Sequence, residues 1–199
     1  FHSCEGYIAR LVARGYKVAI CEQVEDPATA QGLVKRDVIR VITPGTVIEG
    51  SMLDEGKNNY LCVLFLSDGA ADAGLCFTDC STGEIHLTHI QGEDVALRVI
   101  NELGRFSPSE ILLNDAAQRE ETIASFIHER LGVKPQLGDA EGFDYNKAVE
   151  RILSHFRKAS LEPLGLEGQF SAVRALGETL HYLYTTQMNG LERVNNLDL

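Results

Sequence analysis

Hydrophobic and polar positions are most tellingly arranged between Asn59 and Ile90, where three short apolar runs stand close together. They are Tyr60 to Leu66 (YLCVLFL), Ala73 to Asp79 (AGLCFTD) and Glu84 to Ile90 (EIHLTHI). Ser67 to Asp72 (SDGAAD) and Ser81 to Gly83 separate them, and both have turn composition. Connections this short join only antiparallel neighbours, so the pattern predicts a three-strand meander. The first run is apolar at both alternating positions, as a strand covered on both faces requires. The third alternates less cleanly, which suits a sheet edge.

Downstream the period changes from that of a strand to that of a helix. Glu93 to Arg105 places Val95, Val99, Ile100 and Leu103 on one helical face, and Glu110 to Asn114 follows as a short, apolar strand. Ala116 to Leu131 predicts a second helix with Ile123, Phe126, Ile127 and Leu131 inward. Val133 to Gln136 reads as another short strand, and Tyr145 to Phe156 as a helix presenting Val149, Ile152, Leu153 and Phe156. The order is β-β-β-α-β-α-β-α. Strands divided by helices are parallel neighbours joined by right-handed crossovers. A meander followed by such crossovers is the topology of the ribonuclease-H-like α/β fold, here over residues 58–160. Arg157 to Gly168 is a connection, and Gln169 to Asn189 is a longer helix striped by Phe170, Val173, Leu176, Leu180, Leu183 and Tyr184. Only the tail from Gly190 to Leu199 follows it, so this helix is expected to belong to a following domain.

Upstream, Tyr7, Ile8, Leu11 and Val12 share a helical face. Strands are predicted at Tyr16 to Glu22 and at Val34 to Thr43, the second halted by Pro44-Gly45. Between them Glu25 to Gly32 is a loop in which Asp26-Pro27 starts a helical turn. One helix and two strands make a thin core, so residues 1–46 read as the back half of a larger domain, in a chain excised from something longer. Val47 to Asn58 (VIEGSMLDEGKN) is polar, aperiodic and carries two glycines, the composition of a linker.

Composition narrows the function. No apolar run reaches the roughly 20 residues that span a bilayer, and no signal-peptide pattern opens the chain. The five cysteines are scattered without a Cys-x-x-Cys pair, which points to small buried hydrophobes in a reducing, cytoplasmic setting. The net charge of −11 is uneven: residues 1–48 carry six Lys/Arg against five Asp/Glu, and residues 49–199 carry twelve against twenty-four. Nucleic acid rewards clustered cations, so contact with it is expected from the smaller part alone. There Lys35, Arg36 and Arg40 form a basic cluster; Arg36 and Arg40, four apart on a strand, are expected to face the same way and straddle phosphates. A solvated edge strand is the plainer reading.

The topology raises the possibility of a nuclease. Two-metal hydrolysis needs converging carboxylates holding ions about 4 Å apart. Tyr60 to Leu66 supplies none, and Asp68 and Asp115, each after a strand, more simply serve as turn or cap residues. His86 and His89, three apart on a strand, point to opposite faces and cannot share a metal. No phosphate-binding loop, dinucleotide fingerprint or calcium-loop spacing is present.

Longer stretches carry a resemblance. Gly6 to Val12 (GYIARLV), Gly15 to Ala28 (GYKVAICEQVEDPA) and Val34 to Thr46 (VKRDVIRVITPGT) resemble the MutS family of DNA mismatch-repair proteins. Asp79 to Glu84 (DCSTGE) resembles the family's next domain, and Leu176 to Gln187 with Leu191 resembles the start of its lever and core. The resemblance implies the second half of a mismatch-binding domain (1–46), a linker (47–57), a ribonuclease-H-like connector (58–160) and the opening of a helical core (169–199). It further implies a parent protein that is a homodimeric, DNA-dependent ATPase using ATP and magnesium, associated with the bacterial nucleoid. The Phe-x-Glu mismatch probe and the ATPase domain lie outside this chain, which is expected to be non-catalytic and to hold no cofactor. Arg36, with Lys35 as the weaker second, aligns with a basic position that touches the DNA backbone. The connector's implied partner is MutL, with the helix Tyr145 to Phe156 as docking element and Glu150 and Arg151, beside Lys147, facing outward.

Overall fold

The computed structural model describes residues 4–26, 28, 32–53, 56–187 and 191–199. The chain opens with helix α1 (Glu5–Val12) and an antiparallel hairpin of β1 (Val18–Gln23) and β2 (Arg36–Ile42). Ile8, Val12, Ile42 and Val47 form a small core of their own. The loop between the strands is described only in part; Pro27, where a helical turn was expected, lies outside the described residues.

The larger unit carries β3 (Leu61–Leu66), β4 (Asp72–Asp79), β5 (Glu84–Gln91), α2 (Val95–Phe106), β6 (Glu110–Leu113), α3 (Asp115–Arg119), α4 (Glu121–Phe126), β7 (Gln136–Leu137), α5 (Ala140–Phe143), α6 (Tyr145–Phe156), α7 (Phe170–Gln187) and β8 (Asn196–Asp198). Among the described residues these strands make one sheet in the order β7-β6-β3-β4-β5-β8. The meander β3-β4-β5 is antiparallel, while β6, β7 and β8 lie parallel to their neighbours. Alternation decides the two faces. Leu61, Val63, Cys76, Ile85 and Leu87 point to a layer of α5, α6 and α7. Cys62, Leu64, Leu75, Phe77 and Ile90 point to a layer of α2, α3 and α4. Both faces of β3 are therefore covered, as its unbroken apolar run requires.

The single helix expected over 116–131 is interrupted. Glu120 is extended and its carboxylate accepts a hydrogen bond from the Ile123 amide at 2.7 Å, which caps α4 and separates it from α3. A π-turn over Ile127–Leu131 then leads to Gly132.

The larger departure concerns α7. Leu176, Leu180 and Leu183 are fully buried against the sheet, each contributing about 1.5–3 kcal/mol of transfer free energy. A side chain at Gly74 of β4 would lie 2.2 Å from the Ser171 carbonyl oxygen, so the start of α7 rests on bare backbone. Gly177 likewise admits Ala148 of α6, whose Cβ would stand 2.2 Å from a Cβ at that position. The tail Asn196–Asp198 pairs with β5 as the sheet's edge strand. Residues 170–187 and 191–199 thus complete this sheet and its cover, instead of opening a separate helical region as the sequence led us to expect. Sequence position at the end of the chain misled; α7 fills the face that α6, packed mainly on α7, leaves open. No described helix is long and apolar enough to cross a membrane.

Candidate functional site

Lys35 and Arg36 stand exposed at the far end of the hairpin, where Arg36 pairs with Gln23. The Lys35 amide donates to Glu25 Oε2 at 3.1 Å, which fixes the backbone at the entrance to β2. Arg40 does not join them. The ladder pairs Cys21 with Val38 but Ile20 with Arg40, so Ile39 is an extra residue that resets the alternation. Arg40 turns toward the sheet instead: Nη1 donates to Glu49 at 2.5 Å, Nε to Gln187 at 2.9 Å and Nη2 to the Thr46 carbonyl at 3.3 Å. Burial raises the Glu49 pKa, but the hydrogen bond and charge of Arg40 outweigh it and the carboxyl ends below its ordinary value. The expected three-cation cluster reduces to two, because Arg40 clamps β2 to the linker and to α7.

The turn after β2 is not free either. Thr43, Thr46 and Val47, the first residue of the expected linker, are buried, and they lead to a side chain that the sequence reading passed over. Glu110, at the start of β6, is 2% exposed and, among the described residues, lies beside no cation within ion-pair distance. Its Oε2 accepts from Thr43 Oγ1 at 2.5 Å and from the Gly45 amide at 2.9 Å. Its Oε1 accepts from the Tyr182 hydroxyl of α7 at 2.6 Å, with Gln136 Nε2 at 3.5 Å. Burial and the adjacent Glu110 push the Tyr182 phenol far above its ordinary value, so it stays a donor. One carboxyl group thus joins the hairpin unit, the sheet and α7. The available signal was a charged residue opening an otherwise apolar strand, together with the buried-turn composition of Thr43-Pro44-Gly45-Thr46.

On α6, the Asp144 carboxylate accepts from the Lys147 amide at 3.0 Å and caps the helix. Glu150 is exposed, as expected. Arg151 is not a free outward cation: it is half-buried and Nη1 donates to the Gly177 carbonyl at 3.1 Å, tying α6 to α7. Lys147 pairs with Glu141 at 3.0 Å. Beneath this surface Glu178 of α7 accepts from the Asp139 amide at 2.8 Å through Oε1, while its buried Oε2 has no partner. Burial pushes this carboxyl up to about 7.

The remaining residues singled out in the sequence are apart. Asp68 is an exposed turn residue and Asp115 an exposed first residue of α3. His86 meets Asp198 at 3.2 Å, and His89 meets Asp72 at 2.7 Å on the other face of β5. Among the described residues no three His, Cys, Asp or Glu side chains are grouped as metal ligands. Cys62, Cys76 and Cys80 are buried, and burial pushes Cys76 up to about 11 and Cys80 to about 12; Cys4 and Cys21 are exposed.

Comparison with known proteins assigns the two units. Residues 1–51 match the family model MutS domain I, and residues 59–198 match MutS domain II. The chain belongs to the MutS family. The second match runs through α7 and β8, in agreement with their place on the sheet. Among curated relatives, the DNA mismatch repair protein MutS of Alkaliphilus metalliredigens is 42% identical over all of this chain. Those of Ruminiclostridium cellulolyticum and Methanococcoides burtonii are 38% and 39% identical over 100% and 99% of it. In each case the chain spans 22% of the relative's length.

Proposed function

We propose that this chain serves DNA mismatch repair as a non-catalytic relay within a longer MutS protein, in which an ATPase domain elsewhere uses ATP and magnesium. In this reading the hairpin unit is the back half of the mismatch-binding domain. The sheet unit is a ribonuclease-H-like connector that docks MutL once ATP has converted the homodimeric parent to its clamp state. The sheet order β5-β4-β3-β6-β7 supports the fold assignment, because an antiparallel meander extended by two parallel strands is that fold's pattern. The observation that carries the relay is the Glu110 junction. A buried carboxyl held by donors from both units lets a displacement of the hairpin reach β6 and α7 without first being absorbed by a flexible linker.

Lys35 and Arg36 are the DNA-backbone contacts of this reading, and the exposed face of α6 around Glu150 is its MutL surface. Charge reversal Glu150→Lys in the full-length protein should weaken MutL recruitment to a mismatched duplex and leave mismatch affinity unchanged, as read by surface plasmon resonance. Unaltered recruitment would remove α6 from the docking surface. Arg151 is unsuited to this test because its substitution also loosens α6 from α7. The nuclease reading has no grouped carboxylates among the described residues to support it.

A further inference from the structure

We propose that the Glu178 carboxyl is a pH-sensitive latch on residues 138–144, closed while it holds a proton and releasing that segment and the first turn of α6 when it ionises. Glu178 is 1% exposed and faces the short helix α5 from α7. Its Oε1 accepts from the amide of Asp139, the residue that caps α5, at 2.8 Å. Its Oε2 is buried and, among the described residues, has no hydrogen-bond partner. Two glycines hold the group there. A side chain at Gly142 would overlap Oε2, and one at Gly138 would lie 2.8 Å from Oε1. The carboxyl therefore rests on bare backbone, with no donor arranged for a charge on its second oxygen. A neutral acid tolerates such a site better than a carboxylate, because desolvation penalises the charged form far more.

The charged groups around Glu178 are mostly engaged elsewhere. Arg151 of α6 favours the carboxylate, but it donates to the Gly177 carbonyl at 3.1 Å. Asp139 disfavours the carboxylate and itself meets His181 at 3.6 Å, while Glu141 beyond it pairs with Lys147 at 3.0 Å. On α7, Arg174 donates to the Phe143 carbonyl at 2.7 Å and Tyr182 to Glu110 at 2.6 Å. Lys17 of the hairpin unit lines the same cavity of about 390 Å³ but lies over the Tyr182 ring. From the sheet, Leu61, Val63 and Cys76 face this layer and bring no charge. Burial prevails, and the group stands at about 7. Packing decides what yields when it ionises. α7 is buried along most of its length, whereas α5 is a single turn of four residues. Moving Gly142 off Oε2 admits water with the least loss of buried contact. Asp144, which caps α6 through the Lys147 amide, follows directly, so the first turn of α6 loosens with it. In the proposed function α6 carries the docking face; the latch itself does not rest on that reading.

The test is amide hydrogen exchange of the 199-residue chain at pH 6 and pH 8, read by mass spectrometry and corrected for intrinsic exchange. An opening that returns Glu178 from about 7 to its ordinary 4.5 should lower protection across residues 138–146 about tenfold between the two conditions. That protection should also lie well below that of β3, as a local opening requires. Glu178→Gln should give equal protection at both pH values, and His181→Asn should keep the tenfold change. Protection of the segment equal to that of β3 would mean that only global unfolding exposes it, and would overturn the latch. Protection independent of pH in the parent chain, or a pH change retained by Glu178→Gln, would overturn it as well. So would a pH change lost in His181→Asn, which would assign the effect to the imidazole.

Discussion

At the scale of single residues, two buried carboxyl groups do opposite work. Glu110 is satisfied by neutral donors, and its removal would strand Thr43, the Gly45 amide and Tyr182 in a dry site. Glu110→Ala is therefore expected to cost about 2–4 kcal/mol in urea denaturation, and Glu110→Gln about half as much. Glu178 is only half-satisfied. Folded, it titrates near 7, above its ordinary 4.5. Between those values the folded chain holds a proton that the unfolded chain has lost, so stability falls as pH rises from about 4.5 toward 7 and levels off above. The fall is at most roughly 3 kcal/mol. Glu178→Gln should flatten the profile and raise stability at pH 8 relative to the parent chain; a variant with the parent's pH dependence would show that another group is responsible. Neither role was legible in the sequence. Glu110 stood in an apolar strand and Glu178 on a helix that had been placed outside the core.

At the scale of elements, periodicity located α2, α6 and all three strands of the meander, since each has one face or two faces dictated by burial. It failed where a local cap overrode the pattern, at Glu120, and where partners come from afar, at α7. The stripe of α7 was visible, yet no sequence pattern says which sheet it covers. Two outcomes are expected from the packing. A chain ending at Gly168 should lack a cooperative thermal transition, because Leu61, Val63 and Cys76 would lose their cover. Arg151→Ala should cost about 1–2 kcal/mol in denaturation through the lost bond to Gly177, whereas Glu150→Ala should lie within about 0.5 kcal/mol of the parent. The basic cluster failed as an element for a related reason. A single extra residue, Ile39, resets the alternation of β2, and strand parity read from sequence assumes an unbroken ladder.

At the scale of the whole molecule, the turn that leads into the expected linker is a joint. The polar, glycine-bearing composition of the linker that follows suggested independence. Yet Thr43 and Thr46 are buried, Arg40 reaches Glu49 and Gln187, and Glu110 draws the turn at Gly45 onto β6. Composition could not reveal this, because the partners of Glu110 in the turn and on α7 lie 65 or more residues away in the chain. In the proposed reading, the joint is what would couple a hairpin that contacts DNA to a helix that docks a partner. Its most direct test is the full-length protein carrying Glu110→Gln and Thr43→Val, assayed with ATP on a mismatched duplex for both mismatch affinity and MutL recruitment. The account predicts retained mismatch affinity with recruitment reduced several-fold. Recruitment at the parent level, with the junction cut and the protein folded, would contradict it.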